Sequence, residues 1–223
     1  MTTTLSERRH TLNGLLAGHV CTHCNSGWMG DMEGQIKQFL PELIAGESGP
    51  STMTAARRLL LARWVAKTAF VLNDSQRYEY RVPGEHAKHL NDVTDDLPPR
   101  VIALCLVNPI PISYYWWQQP TWPPFVAYHI SAQESDAAHG RSYKIAFQFG
   151  HIMLMVCWWP DDRFQYTSTV DLVGTTILWP YNLRLKRSQP AAPLPPGLTE
   201  VFGLNPRFFD FVYHVGVVES DAR

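Results

Sequence analysis

Near residue 98 the spacing of apolar side chains changes from three-and-four to two, which restricts the chain to folds that segregate helices from strands. Upstream, Met29, Met32, Ile36, Phe39, Leu40 and Leu43 follow one helix face and predict a helix from about Trp28 to Ile44, with Pro41 near its end and Gly46 closing it. After the Gly49 to Thr52 turn, Ser51 or Thr52 is placed to cap a second helix, roughly Met53 to Leu72. Leu60, Leu61, Trp64, Val65, Thr68, Phe70 and Leu72 form its expected apolar side, and Arg57, Arg58, Arg63 and Lys67 its expected wet side. Pro83 opens a shorter helix through Glu85, His86 and His89. Downstream, Arg100 to Val107 and Phe125 to Ser131 read as strands. Tyr143 to Phe149 and His151 to Trp158 read as a hairpin about Gly150. Ile145, Phe147 and Phe149 alternate there with Lys144, Ala146 and Gln148, the period of a half-buried strand. Phe164 to Thr169 and Thr175 to Trp179 are expected edge strands. The expected class is α+β: a helical N-terminal half followed by a mostly antiparallel sheet. The expected divisions are 1–97, 98–188 and a proline-rich connector with a terminal segment at 189–223.

Composition narrows the functional classes. A chain of 223 residues with 45% hydrophobic content and eight tryptophans can bury a core, which excludes intrinsic disorder. Nineteen basic residues against 20 acidic ones give a net charge of −1, so nucleic acid would have to be held by a local patch. The stretch Leu59 to Leu72 is interrupted by Arg63 and Lys67 and is too short to span a bilayer. The polar start MTTTLSERRH lacks the apolar core of a secretory signal. The expectation is a soluble, cytoplasmic protein with no membrane partner.

The chemistry-bearing run is His19 to Met29, HVCTHCNSGWM. Cys21 and Cys24, two residues apart, form the kind of bend in which both sulfurs reach one Zn²⁺ at ~2.3 Å. A reduced, metal-free pair is the alternative. Asn25 follows directly, then Gly27, Trp28 and Met29, then Glu33. Taken together these positions resemble a group of bacterial HNH-endonuclease-like proteins whose second zinc knuckle reads Cys-x-x-Cys-Asn-x-Gly-Trp-Met, with a Glu four residues on. Trp64 to Ala69 and Trp179-Pro180 also look like parts of that group.

The resemblance implies a treble-clef metal site and phosphodiester hydrolysis. Cys21 and Cys24 would hold structural zinc. Asn25 would be a candidate catalytic residue, a ligand of magnesium or manganese. A histidine would serve as general base. The family's first Cys-x-x-Cys and its acidic-His hairpin have no counterpart in the 20 residues before Cys21. This predicts either a clipped nuclease or a lineage that keeps metal or nucleic-acid binding without cleavage. Of the nearby His10, His19 and His23, a Cys2His2 set would draw on His10 and His19, with His19 cramped by its nearness to Cys21, while His23 inside the bend is expected to point outward. Asn25 as a cap for the helix near Trp28 is the competing role for that residue.

Arg63 and Lys67, four apart on one helix, are the candidate nucleic-acid contacts, against a plain solvated face. His86 and His89 could chelate a metal, against an exposed helix surface. Cys105 and Cys157 are expected as buried fillers. Tyr114 to Trp117 with Trp122 form an aromatic loop suited to stacking bases or to homo-oligomer contact. That loop carries the alternative function, a non-enzymatic interaction or self-association module.

Overall fold

Seven consecutive residues of one helix, Leu61 to Lys67, are buried, so that helix is enclosed on every side. In the computed structural model, which describes residues 20–74, 82–119, 142–168, 175–181, 183, 185–187 and 215–219, this helix is α4, Ala55–Asp74. It packs against two shorter helices and a sheet. Its N-terminus is held by the Thr54 hydroxyl, which accepts from Arg57 N at 3.3 Å. Ser51 and Thr52 lie instead in a 3₁₀ turn, Pro50–Thr52, so the expected cap falls three or two residues too early.

The other helices are α1 (Thr22–Ser26), α2 (Trp28–Ile36), α3 (Leu40–Ala45) and α5 (Gly84–Asp92), of which α2 and α5 pack on α4. The single helix expected from 28 to 44 is two. It breaks after Ile36, and Pro41 sits in the first turn of α3, where its missing N–H leaves no bond unmade. Gly46 closes α3 in the left-handed region, φ 75°.

Among the described residues six strands follow: β1 (Val101–Gln119), β2 (Tyr143–Trp158), β3 (Phe164–Ser168), β4 (Thr175–Trp179), β5 (Lys186–Arg187) and β6 (Val215–Glu219). They form two three-stranded sheets, ordered β2-β1-β4 and β5-β3-β6 among the described residues. The first is antiparallel throughout, and the class is α+β. β3 is central in its sheet rather than an edge strand, and β6 supplies a strand from the terminal segment.

Both faces of the first sheet are buried. Val101, Ala103 and Cys105 of β1 join the helices in one core, while Ile102, Leu104 and Leu106 join Phe164, Tyr166, Val215 and Val217 of the second sheet in another. The half-buried reading of β2 is therefore corrected: Lys144, Ala146 and Gln148 are as inaccessible as Ile145 and Phe147. Burial lowers the Lys144 ammonium to a pKa of about 8, and its Nζ donates to the Val215 carbonyl, tying the two sheets together.

The expected hairpin about Gly150 is also corrected. β2 runs unbroken through Gly150 and pairs with β1 from Val101↔Trp158 to Gln119↔Lys144. Register shifts between Val107 and Ile112, where Pro109 and Pro111 cannot donate to a ladder. Side chains replace the missing bonds. Asn108 Nδ2 donates to Gln148 Oε1 (3.2 Å), Gln148 Nε2 donates to the carbonyls of Ile110 (3.0 Å) and Gly150 (2.7 Å), and Ile110 N donates to Asn108 Oδ1 (3.1 Å). The alternation of β2 flips across Gly150, at φ +52°, so its helix-facing set passes from 145 and 147 to 152, 154 and 156.

Residues 114–117 belong to β1 rather than to a loop. Trp122, the strand expected at 125–131 and the connector at 189–197 lie outside the described residues. Among the described residues no helix is long and apolar enough to cross a membrane.

Candidate metal knuckle

One helical turn and one glycine build the bend. Cys21 is extended (φ −64°, ψ 149°) and caps α1, its Sγ accepting from Cys24 N at 3.1 Å while its carbonyl accepts from Asn25 N at 3.0 Å. Gly27 ends α1 by donating to the His23 carbonyl (2.9 Å) and starts α2 by accepting from Asp31 N (3.0 Å). A Cβ on Gly27 would stand 2.6 Å from the His23 oxygen, which is why the run needs glycine there. The competing role for Asn25 is corrected by the same geometry. Asn25 lies inside α1, and Gly27 caps α2 with no side-chain bond.

The two thiols act on each other. Donation from the Cys24 thiol and amide lowers the Cys21 pKa, and the Cys21 sulfur raises that of Cys24. Cys21, His23 and Asn25 are exposed and Cys24 is half-buried. Two soft sulfur donors converging at the surface fit half of a tetrahedral zinc set. Among the described residues no group of three or more His, Cys, Asp or Glu gathers at one place. His10 and His19 lie outside the described residues.

The bend is anchored from below. Met32 and Ile36 of α2 are buried against α4, and Glu33 Oε1 receives Lys67 Nζ at 2.5 Å. Sequence reading left Glu33 without a partner. No local spacing marks that pairing, since the two residues lie 34 apart.

The wet-face reading of Arg63 and Lys67 is corrected: they are 6% and 7% exposed. Lys67 is spent on Glu33, its ammonium 6.0 Å from the Trp64 ring. The Arg63 guanidinium donates to the carbonyls of Leu90 (2.6 Å), Val93 and Asp96 (3.4 Å), closing the C-terminal end of α5. Burial lowers the Arg63 pKa, and Asp95 and Asp96 oppose that shift. Neither side chain faces outward to meet a phosphate.

His86 is likewise inside rather than on an exposed surface. Its Nδ1 lies 3.0 Å from the Tyr143 hydroxyl, and its ring meets Trp158 edge-on at 4.7 Å and Phe70 at 6.3 Å. Burial lowers its pKa to about 4, with Glu85 opposing and His89 assisting. The folded-state value lies below the ordinary 6.5, so the stabilisation is complete above about pH 6.5 and is lost as pH falls toward 4. After allowance for partial solvation this is on the order of 2 kcal/mol. Denaturant melts between pH 7 and 4 should show that loss, and His86→Phe should flatten it. An equal slope in both proteins would contradict the assignment.

Cys105 and Cys157 are buried free thiols in β1 and β2, as expected of fillers. Burial pushes Cys157 up to about 12 and Cys105 higher still, so neither is a thiolate nucleophile at neutral pH.

Comparisons of the chain with protein-family models, with curated proteins and with solved structures give no match.

Proposed function

We propose that this chain is an HNH-endonuclease-like metal-binding protein in which Cys21 and Cys24 supply two thiolates to a structural zinc ion. The observation that carries the reading is the surface bend in which Cys24 N donates to Cys21 Sγ at 3.1 Å and both sulfurs lie within one turn of each other. Such a bend holds the sulfurs on one side before any metal arrives, so little ordering is left for binding to impose. Zinc supplies charge neutralisation of two adjacent thiolates and a cross-link that fixes the bend.

Asn25, exposed beside Cys24, is the residue this reading offers to a magnesium or manganese ion at a nucleic-acid phosphate. The resemblance of the Cys21-to-Glu33 run is what supports that second part. Arg63 and Lys67 take no part in it, being engaged inside the molecule. Phosphate contact would fall to groups beside the knuckle.

The test is metal content after purification without chelator. Zinc should be retained by the native chain and fall by at least tenfold in Cys21→Ser and in Cys24→Ser, with the melting midpoint of the native protein lowered by chelator. Zinc near zero in the native chain, or equal in all three proteins, would refute the reading.

A further inference from the structure

The chain has four cysteines, and all four are free thiols. Their placement leaves one pair able to join. Cys105 and Cys157 are both 0% exposed. Cys105 packs with the helices, whereas Cys157 packs with Phe164, Tyr166 and Val217 of the second sheet, so the first sheet stands between them. Cys21 and Cys24 are instead at the surface, the first exposed and the second half-buried, within one turn of α1. Residues three apart at the start of a helix stand about 5 Å between Cα atoms, inside the range of roughly 4.4 to 6.8 Å that a disulfide spans. The Cys21 Sγ is 3.1 Å from the Cys24 amide nitrogen. A cysteine's own sulfur lies about 3 to 4 Å from its nitrogen in any rotamer, so rotation about the two Cα–Cβ bonds closes what separation remains. No side chain of α1 is buried, so forming that bond disturbs nothing in the core. Beyond it, α2 is held by Met32, Ile36 and the Glu33–Lys67 pair.

We propose that Cys21 and Cys24 are a reversible disulfide site that closes the knuckle to metal, the oxidant being a low-molecular-weight disulfide such as oxidised glutathione. The inference rests on the zinc reading for what the bond regulates, since the same two sulfurs serve either the metal or each other. In the first step the exposed Cys21 sulfur displaces one thiol from the small disulfide and forms a mixed disulfide. In the second, the Cys24 sulfur displaces the other thiol from Cys21. Two S–H bonds of the chain and one S–S bond of the oxidant break. One S–S bond in the chain and two S–H bonds on the released thiols form. The chain gives up two electrons and two protons, and the small molecule takes both. A dithiol reductant reverses the exchange. Burial keeps Cys105 and Cys157 out of it.

The experiment uses the whole native chain, stripped of metal, reduced, and then treated with oxidised glutathione. Its mass should fall by two hydrogens, two equivalents of reduced glutathione should appear, and peptide mapping should place the bond between Cys21 and Cys24. Zinc affinity of the oxidised chain should drop by at least about tenfold and return with dithiothreitol. Cys24→Ser should stop at the mixed disulfide on Cys21 and carry one glutathionyl group. Zinc bound by the reduced chain, with no Cys21–Cys24 bond formed once the metal is removed, would overturn the switch and leave the zinc reading standing. Failure of the reduced chain to bind zinc, or equal binding by the oxidised and reduced chains, would overturn both. The native chain supplies each of these readouts, so a folding defect in Cys24→Ser does not remove the test.

Discussion

Replacing Gly150 by alanine is expected to cost about 4 kcal/mol and to lower the melting midpoint by roughly 10 °C. Two effects add. Gly150 sits at φ +52°, where an L side chain is strained by about 1–2 kcal/mol. The new Cβ would also stand 2.4 Å from the Ile44 carbonyl oxygen and 2.7 Å from its Cγ2, atoms of α3 with backbone on one side and packed side chain on the other. Neither can yield without moving α3 off the strand. The bulge around Asn108 and Gln148 fixes β2 in turn, so the strand cannot yield either. Gly34→Ala is the matched control. Nothing lies within 4 Å of the Cβ it adds, and the site is helical, so it should be neutral or stabilising by up to about 1 kcal/mol. Equal melting midpoints for the two variants would contradict the close approach of β2 to α3 at Gly150.

The second large effect is at Arg63. Arg63→Ala removes a buried guanidinium from the carbonyls of Leu90 and Val93 at the end of α5 and of Asp96 just beyond it, one bond buried and two part-buried, an expected loss of about 4 kcal/mol. Arg63→Lys keeps the charge but not the planar fork that reaches several oxygens at once, so it should recover less than half. A solvent-facing phosphate contact behaves in the opposite way: the alanine variant melts like the native chain and only nucleic-acid affinity drops. Denaturant unfolding of the three proteins separates the two. An unchanged midpoint in Arg63→Ala would show the side chain to be outside the core.

The same arginine shows what a sequence conceals. Charges at 63 and 67 on a long helix read as a wet face because solvation is the ordinary fate of exposed ammonium and guanidinium groups. Nothing local reveals that Glu33, 34 residues earlier, or the end of α5, 27 to 33 residues later, supplies the partners. The helix itself was legible, since its length and composition are local properties.

The strands failed in a similar way. The period-two signal located β2, but its reversal at Gly150 looked like a turn between two strands. Extra residues in β1 around Pro109 and Pro111, across from a left-handed Gly150 in β2, accompany the same reversal within one continuous strand. Lys144 and Gln148 marked a solvent face in the sequence; Lys144 instead reaches Val215 of the second sheet and Gln148 bonds into the irregular stretch of β1, neither of which short pieces such as β5 and β6 could announce.

The bend at Cys21 to Gly27 differs in kind, because its hydrogen bonds span only three or four residues and so are set within one short run of sequence.

The most direct measurement on the central claim is X-ray absorption at the zinc edge on the native chain. We expect a first shell containing two sulfur scatterers at ~2.3 Å, with that sulfur contribution lost in the double variant Cys21→Ser, Cys24→Ser. A zinc shell of nitrogen and oxygen alone, or a sulfur shell that survives the double substitution, would contradict it.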